Sequence, residues 1–149
     1  MQMKVSQRIG CSLFFIYFII VIIVSFIGID VHNLRIVSLE SGKSNFIPFD
    51  SLRMYISEKE RFNLDTWFYS TFGPLLLFLP MGLLLPIVFK NMQTLKSVVL
   101  FSFALSILIE VLQYVTRLGV MDIDDTILNI SGAMTGYLFY NILFKRLFS

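Results

Sequence analysis

Hydrophobic positions in this chain fall in long unbroken blocks, with neither the alternation of a half-buried strand nor the 3.6-residue stripe of a soluble helix. Four blocks stand out, at about residues 9–29, 69–89, 95–115 and 127–144. Crossing the ~30 Å of bilayer hydrocarbon as a helix takes ~20 mostly apolar residues, and each block comes close to that length. The pattern predicts an all-α membrane protein, a single domain over 1–149 built as a four-transmembrane-helix bundle. Asn129, Ser131, Thr135 and Asn141 interrupt the fourth block, the least apolar of the set.

Composition agrees, with 56% hydrophobic and 15% charged residues against about 25% charged in soluble domains. The placement of charge adds an orientation. Lys4 and Arg8 precede the first block, Lys90 and Lys96 flank the junction of the second and third, and Lys145 and Arg146 follow the fourth, with no acidic residue among them. The acidic residues concentrate in the other two connections, so the positive-inside rule places both termini in the cytoplasm and residues 30–68 in a long outer loop. The basic residues thus follow topology, and a net charge of +2 gives no reason to expect nucleic-acid binding. The first block exceeds the 7–15 residues of a leader's apolar core and lacks a small-x-small cleavage site, so it reads as a retained anchor. A single cysteine, Cys11, excludes an intramolecular disulfide.

Within the outer loop, residues 45–56 read as a short amphipathic helix with Pro48 in its first turn. Phe49, Leu52 and Ile56 share a face suited to the membrane surface. Trp67, Phe68 and Tyr69 form an aromatic belt at the start of the second span. His32 is solitary and is assigned nothing. The second span carries Pro74, Pro80 and Pro86, which free the carbonyls of Ser70, Leu76 and Gly82; the kinks either shape the helix for packing or open a pocket toward the outer leaflet. In the fourth span Gly132 and Gly136 form a GxxxG pair that permits close helix approach, on the same face as Asp125 and Asn129.

Polar residues gather where the third and fourth spans meet. Glu110, Gln113 and Arg117 share one face of the third, with Glu110 roughly 8–10 Å below its outer end at 1.5 Å per residue. Asp122, Asp124, Asp125 and Asn129 follow. Ionisable side chains at membrane depth face the protein interior and point to function, so these seven residues are expected to form one outward-facing pocket. Two structural readings stand beside this one: Asp124 or Asp125 caps the fourth span, and Glu110 pairs with Arg117. Chemically, the carboxylates and amide could hold a hard cation, Glu110 is the candidate general acid or base, and Arg117 could grip an anion. No serine–histidine pair, Cys/His metal spacing or phosphate-binding glycine loop accompanies them, so no cofactor is expected.

These residues resemble the VanZ-like family of small bacterial membrane proteins from Asn45 to about Tyr140, with the first span matching only as an anchor. Asn45-x-x-Pro48-Phe49 is similar to the family's outer-loop motif and Phe78-x-Pro80-x-Gly82 to its second-span motif. Glu110-x-x-Gln113, then Asp122, Asp125, Asn129, Gly132 and Gly136, resemble its long signature. Pro74 departs from the pattern, standing where the family commonly has asparagine. The resemblance adds Asn45 to the ligand-binding candidates. It implies a multi-pass protein of the bacterial plasma membrane with a role in resistance to lipoglycopeptides such as teicoplanin. The partners it implies are the lipid bilayer and either the antibiotic or a lipid-linked wall precursor. Binding or shielding at the outer face is one expectation. An intramembrane enzyme acting on a lipid-linked substrate, with Glu110 as acid/base and the aspartates around a divalent cation, is the alternative. A proton-coupled transporter is disfavoured by the lack of charge in the cytoplasmic half of any span.

Overall fold

The computed structural model describes residues 5–27 and 44–145, without side-chain detail at residues 5–8, 27, 66, 144 and 145. Lys4, His32, Arg146 and the start of the 30–68 loop lie outside the described residues. The described chain is all-helical. Five helices run in the order α1 (Val5–Ile27), α2 (Asp50–Ser57), α3 (Leu64–Val88), α4 (Leu95–Val115) and α5 (Ile123–Tyr140), with a π-helical turn, Asn141–Lys145, closing the last. Short 3-10 turns at Lys59–Arg61 and Lys90–Met92 link α2 to α3 and α3 to α4.

Among the described residues three helices are long and apolar enough to cross a membrane, at Ile9–Phe26, Trp67–Val88 and Leu95–Val115. The remaining long helix, α5, begins four residues before the expected fourth span and includes Asp124 and Asp125 in its first turn. It also sits deepest. Gly132, Ala133, Gly136 and Tyr137 are all buried, chiefly against α3.

The α3–α5 seam is built on missing side chains. A methyl placed on Gly132 would overlap the Leu75 carbonyl, one on Gly136 the Leu79 carbonyl, and one on Gly82 the Ala133 carbonyl. Glycines on both helices therefore let the two backbones touch, which is how small residues drive association in lipid, where apolar burial gives no advantage between helices. Phe78, Met81, Leu85, Val98, Leu105 and Ile109 fill the space around this seam.

All three prolines lie within the continuous α3. Such a helix survives at depth when neighbours satisfy its disturbed backbone. The Tyr17 hydroxyl donates to the Leu77 carbonyl at 2.6 Å and lies against the Met81 N–H. This hydroxyl, set against the helical ladder just beside Pro80, ties α1 to α3. Phe14 adds an edge-on contact with Phe89, ring centroids 5.2 Å apart. Elsewhere α1 leaves Ile9, Leu13, Phe15, Ile16 and Ile19 exposed, the surface of a helix solvated by hydrocarbon.

The short loop helix starts later than expected. Residues 45–49 form a turn, Phe49 takes a left-handed conformation (φ 68°), and α2 begins at Asp50. Pro48 therefore lies before the helix, not in its first turn. A tertiary contact at Asn45 causes the delay.

Candidate functional site

Asn45 pairs with the connection between α4 and α5 as one rung of parallel bridge. Its N–H donates to the Met121 carbonyl (2.8 Å), and its carbonyl accepts from the Ile123 N–H (3.0 Å). The side chain completes the junction: Nδ2 donates to Asp122 Oδ1 at 3.0 Å and to Ser51 Oγ at 2.9 Å, while Oδ1 accepts from the Ile47 N–H at 2.9 Å. An asparagine suits this place because its amide can bridge two segments while its oxygen closes the local turn.

The carboxylates divide the remaining main-chain donors among themselves. Asp122 is the N-cap of α5 and accepts from the Asp124 N–H at 2.9 Å. Glu110, 3% exposed, accepts from the Asp122 N–H at 2.9 Å and so holds the turn against α4. Asp124, 2% exposed, reaches across to α2, where its two oxygens accept from the N–H groups of Phe49 and Leu52 (3.0 Å to the latter). The capping expectation for Asp124 and Asp125 is thus corrected: Asp122 caps α5, and Asp124 caps a different helix. An early-turn aspartate is drawn away because α2 brings two unpaired N–H groups into the same buried space.

Arg117 does not join the cluster. It is exposed, with φ 56°, and occupies the left-handed position that ends α4. The Leu118 N–H donates to the Gln113 carbonyl (2.9 Å) and the Arg117 N–H to the Tyr114 carbonyl (3.2 Å), the paired bonds of a Schellman motif. The expected Glu110–Arg117 ion pair is not formed; among the described residues the ion pair is Arg61–Glu58 on the surface. Gln113 also turns elsewhere, its Nε2 donating to the Ser25 carbonyl of α1 at 2.7 Å.

What these residues border is a partly open cavity of about 490 Å³ between α1, α3, α4 and α5. Its walls are mainly apolar, from Ile20, Val24, Leu76, Leu77, Phe78 and Ile109. Glu110, Gln113, Asp125 and Asn129 line it too, with Phe68 and Tyr69 at the α3 side. Four of the candidates therefore share a cavity, while Asn45, Asp122 and Asp124 form the adjoining bonded junction. Gly73 lies on the cavity wall, and beyond its chain neighbours and its own helix backbone no heavy atom comes within 4 Å of where its Cβ would stand.

Two neighbours escaped the sequence reading. Asn129, 6% exposed, donates through Nδ2 to Ser106 Oγ at 2.8 Å, and Ser106 in turn donates to Thr126 Oγ1 at 3.2 Å. This leaves Asn129 Oδ1 buried without a partner. Ser106 stands one helical turn before Glu110, a spacing that could have marked it. Tyr55 of α2 bonds to the Ser70 side chain; burial raises its phenol pKa above the ordinary value, Ser70 opposes the rise, and the carboxylates of Asp125 and Asp122 add to it. Nothing in the loop sequence alone would bring Tyr55 toward the acidic cluster.

Among the described residues, no three His, Cys, Asp or Glu side chains converge as a metal-binding group. Glu110, Asp122 and Asp124 already accept main-chain hydrogen bonds, which leaves Asp125 as the carboxylate least committed to the fold.

Comparison with known proteins places the chain in a family. A model of the VanZ/LLP1 family matches residues 14–144, extending the resemblance back through most of α1. Curated proteins and solved structures give no match. The family match spans nearly the whole chain, from Phe14 on α1 to the turn that closes α5, and this membrane protein with three long apolar helices belongs to the VanZ/LLP1 family.

Proposed function

We propose that the chain is a multi-pass protein of the bacterial plasma membrane that binds an amphiphile at the outer leaflet. The ligand is a lipid-linked cell-wall component or a lipoglycopeptide such as teicoplanin, and sequestering it contributes to resistance. In this reading α1, α3, α4 and α5 all cross the bilayer, both termini are cytoplasmic, and α2 lies on the outer surface. The carrying observation is the cavity: about 490 Å³, within the ~300–1,000 Å³ of small-molecule sites, with apolar walls and carboxylate and amide groups on one side. Its lining comes from the C-terminal parts of α1 and α4 and the N-terminal halves of α3 and α5, the ends that the charge pattern assigns to the outside. Tyr69 and Phe68 suit the interfacial level, where one side of a ring meets hydrocarbon and the other water.

Binding accounts for the site better than cation-dependent catalysis, because three of the carboxylates are occupied in holding the junction together. The test is expression of wild type, Glu110→Gln and Asp125→Asn at matched membrane levels in a susceptible Gram-positive strain. The expected result is a rise in the inhibitory concentration of teicoplanin, larger than for vancomycin, that Asp125→Asn abolishes. A well-inserted wild type that changes neither concentration removes the antibiotic from the proposal.

A further inference from the structure

The cavity's polar side has an uneven chemistry. Glu110 and Asp125 contribute carboxylates, and among the described residues no lysine, arginine or histidine lines the cavity with them. Gln113 has committed its amide N–H to the Ser25 carbonyl, leaving its oxygen as the available group. Asn129 has likewise committed its N–H to Ser106, and its Oδ1 is buried and unpartnered. A buried acceptor left unmade costs about 1–3 kcal/mol, which a donor carried by a ligand would recover. The hydroxyls of Ser25 and Tyr69 can serve either way. The net inventory is carboxylate and amide oxygens, with no basic side chain beside them among the described residues. Apolar walls lower the local dielectric on the buried side, which strengthens any charge–charge contact made there.

Building on the amphiphile-binding reading, we infer that the cavity selects an amphiphile whose polar end is a primary ammonium, with its hydrocarbon along Ile20, Val24 and Leu77 and its N–H groups shared by Asp125, Glu110 and Asn129 Oδ1. Three donors and one positive charge complement this set of oxygens in a way that a phosphate or carboxylate, bringing more acceptors and like charge, does not. Asp125 is the carboxylate free to take the ammonium, since Glu110 already bonds the Asp122 N–H.

The test offers matched-chain probes, hexadecylamine, hexadecanol and palmitate, to the purified full chain in detergent micelles, with retention read by native mass spectrometry. Wild type should retain the amine about tenfold over the alcohol, the size expected for a charge-assisted hydrogen bond, and over palmitate by more. Asp125→Asn, nearly identical in shape, should bring amine and alcohol to parity. Gly73→Phe, which extends a ring into open space, should release all three probes. Palmitate held as well as or better than the amine, or amine and alcohol held equally by wild type, overturns the ammonium inference and leaves the amphiphile cavity standing. Undiminished retention by Gly73→Phe overturns the cavity reading beneath it. Should Asp125→Asn fail to fold, the wild-type ranking of amine against palmitate decides alone.

Discussion

Asp124→Ala separates two accounts of the same carboxylate. From sequence, an aspartate in the first turn of α5 is a capping or dipole residue for that helix, and its loss would fray α5. In the structure its oxygens accept instead from the Phe49 and Leu52 N–H groups of α2, in a position only 2% exposed. Hydrogen bonds to a charged group are worth about 1.5–3 kcal/mol each. Removing both weakens the docking of residues 45–57 by about 3 kcal/mol, taking the lower value for each. With tenfold per 1.4 kcal/mol, amide exchange in that segment should accelerate about 100-fold, while α5 stays protected because Asp122 still caps it. Asp124→Asn keeps one carbonyl acceptor and should fall between alanine and wild type. Hydrogen exchange by mass spectrometry, on the full chain in lipid nanodiscs, resolves the two segments. Unchanged protection at 45–57, with new exchange at the start of α5, would refute the cross-helix cap.

Glycine positions on the same bundle should respond in opposite ways. Gly136→Leu drives a side chain into the Leu79 carbonyl and should cost about 1–3 kcal/mol or more by overpacking, seen as lost monodisperse protein on size exclusion; Gly73→Leu, with open space before it, should elute and melt like wild type. Arg117→Gly should raise the melting temperature, since a left-handed conformation costs a residue bearing a Cβ roughly 1–2 kcal/mol, and should leave probe binding unchanged because Arg117 lies outside the cavity. A loss of binding in Arg117→Gly would return that arginine to the site.

Much of the candidate site was legible because helical spacing alone puts Glu110 with Gln113 and Asp125 with Asn129. What those residues do for one another was not legible. Sequence spacing allowed a Glu110–Arg117 pair, but the chain leaves α4 through a left-handed Arg117, which carries that side chain away from Glu110's face. Asn45 was a candidate only through family resemblance, because its partners Met121, Asp122 and Ile123 lie more than seventy residues away.

The sequence by itself determined the class, the long apolar helices and the polar cluster between the last two, because a bilayer accepts only long runs of apolar residues whose backbone bonds internally. It also marked Gly132 and Gly136 as a contact face. Tertiary structure alone decided that this face meets Gly82 and the carbonyls of the proline-bearing α3, that Asp124 belongs to α2, and that a cavity remains between α1, α3, α4 and α5. Those outcomes depend on where helices end and how closely their backbones approach, quantities set by packing between segments distant in the chain and so absent from any local pattern.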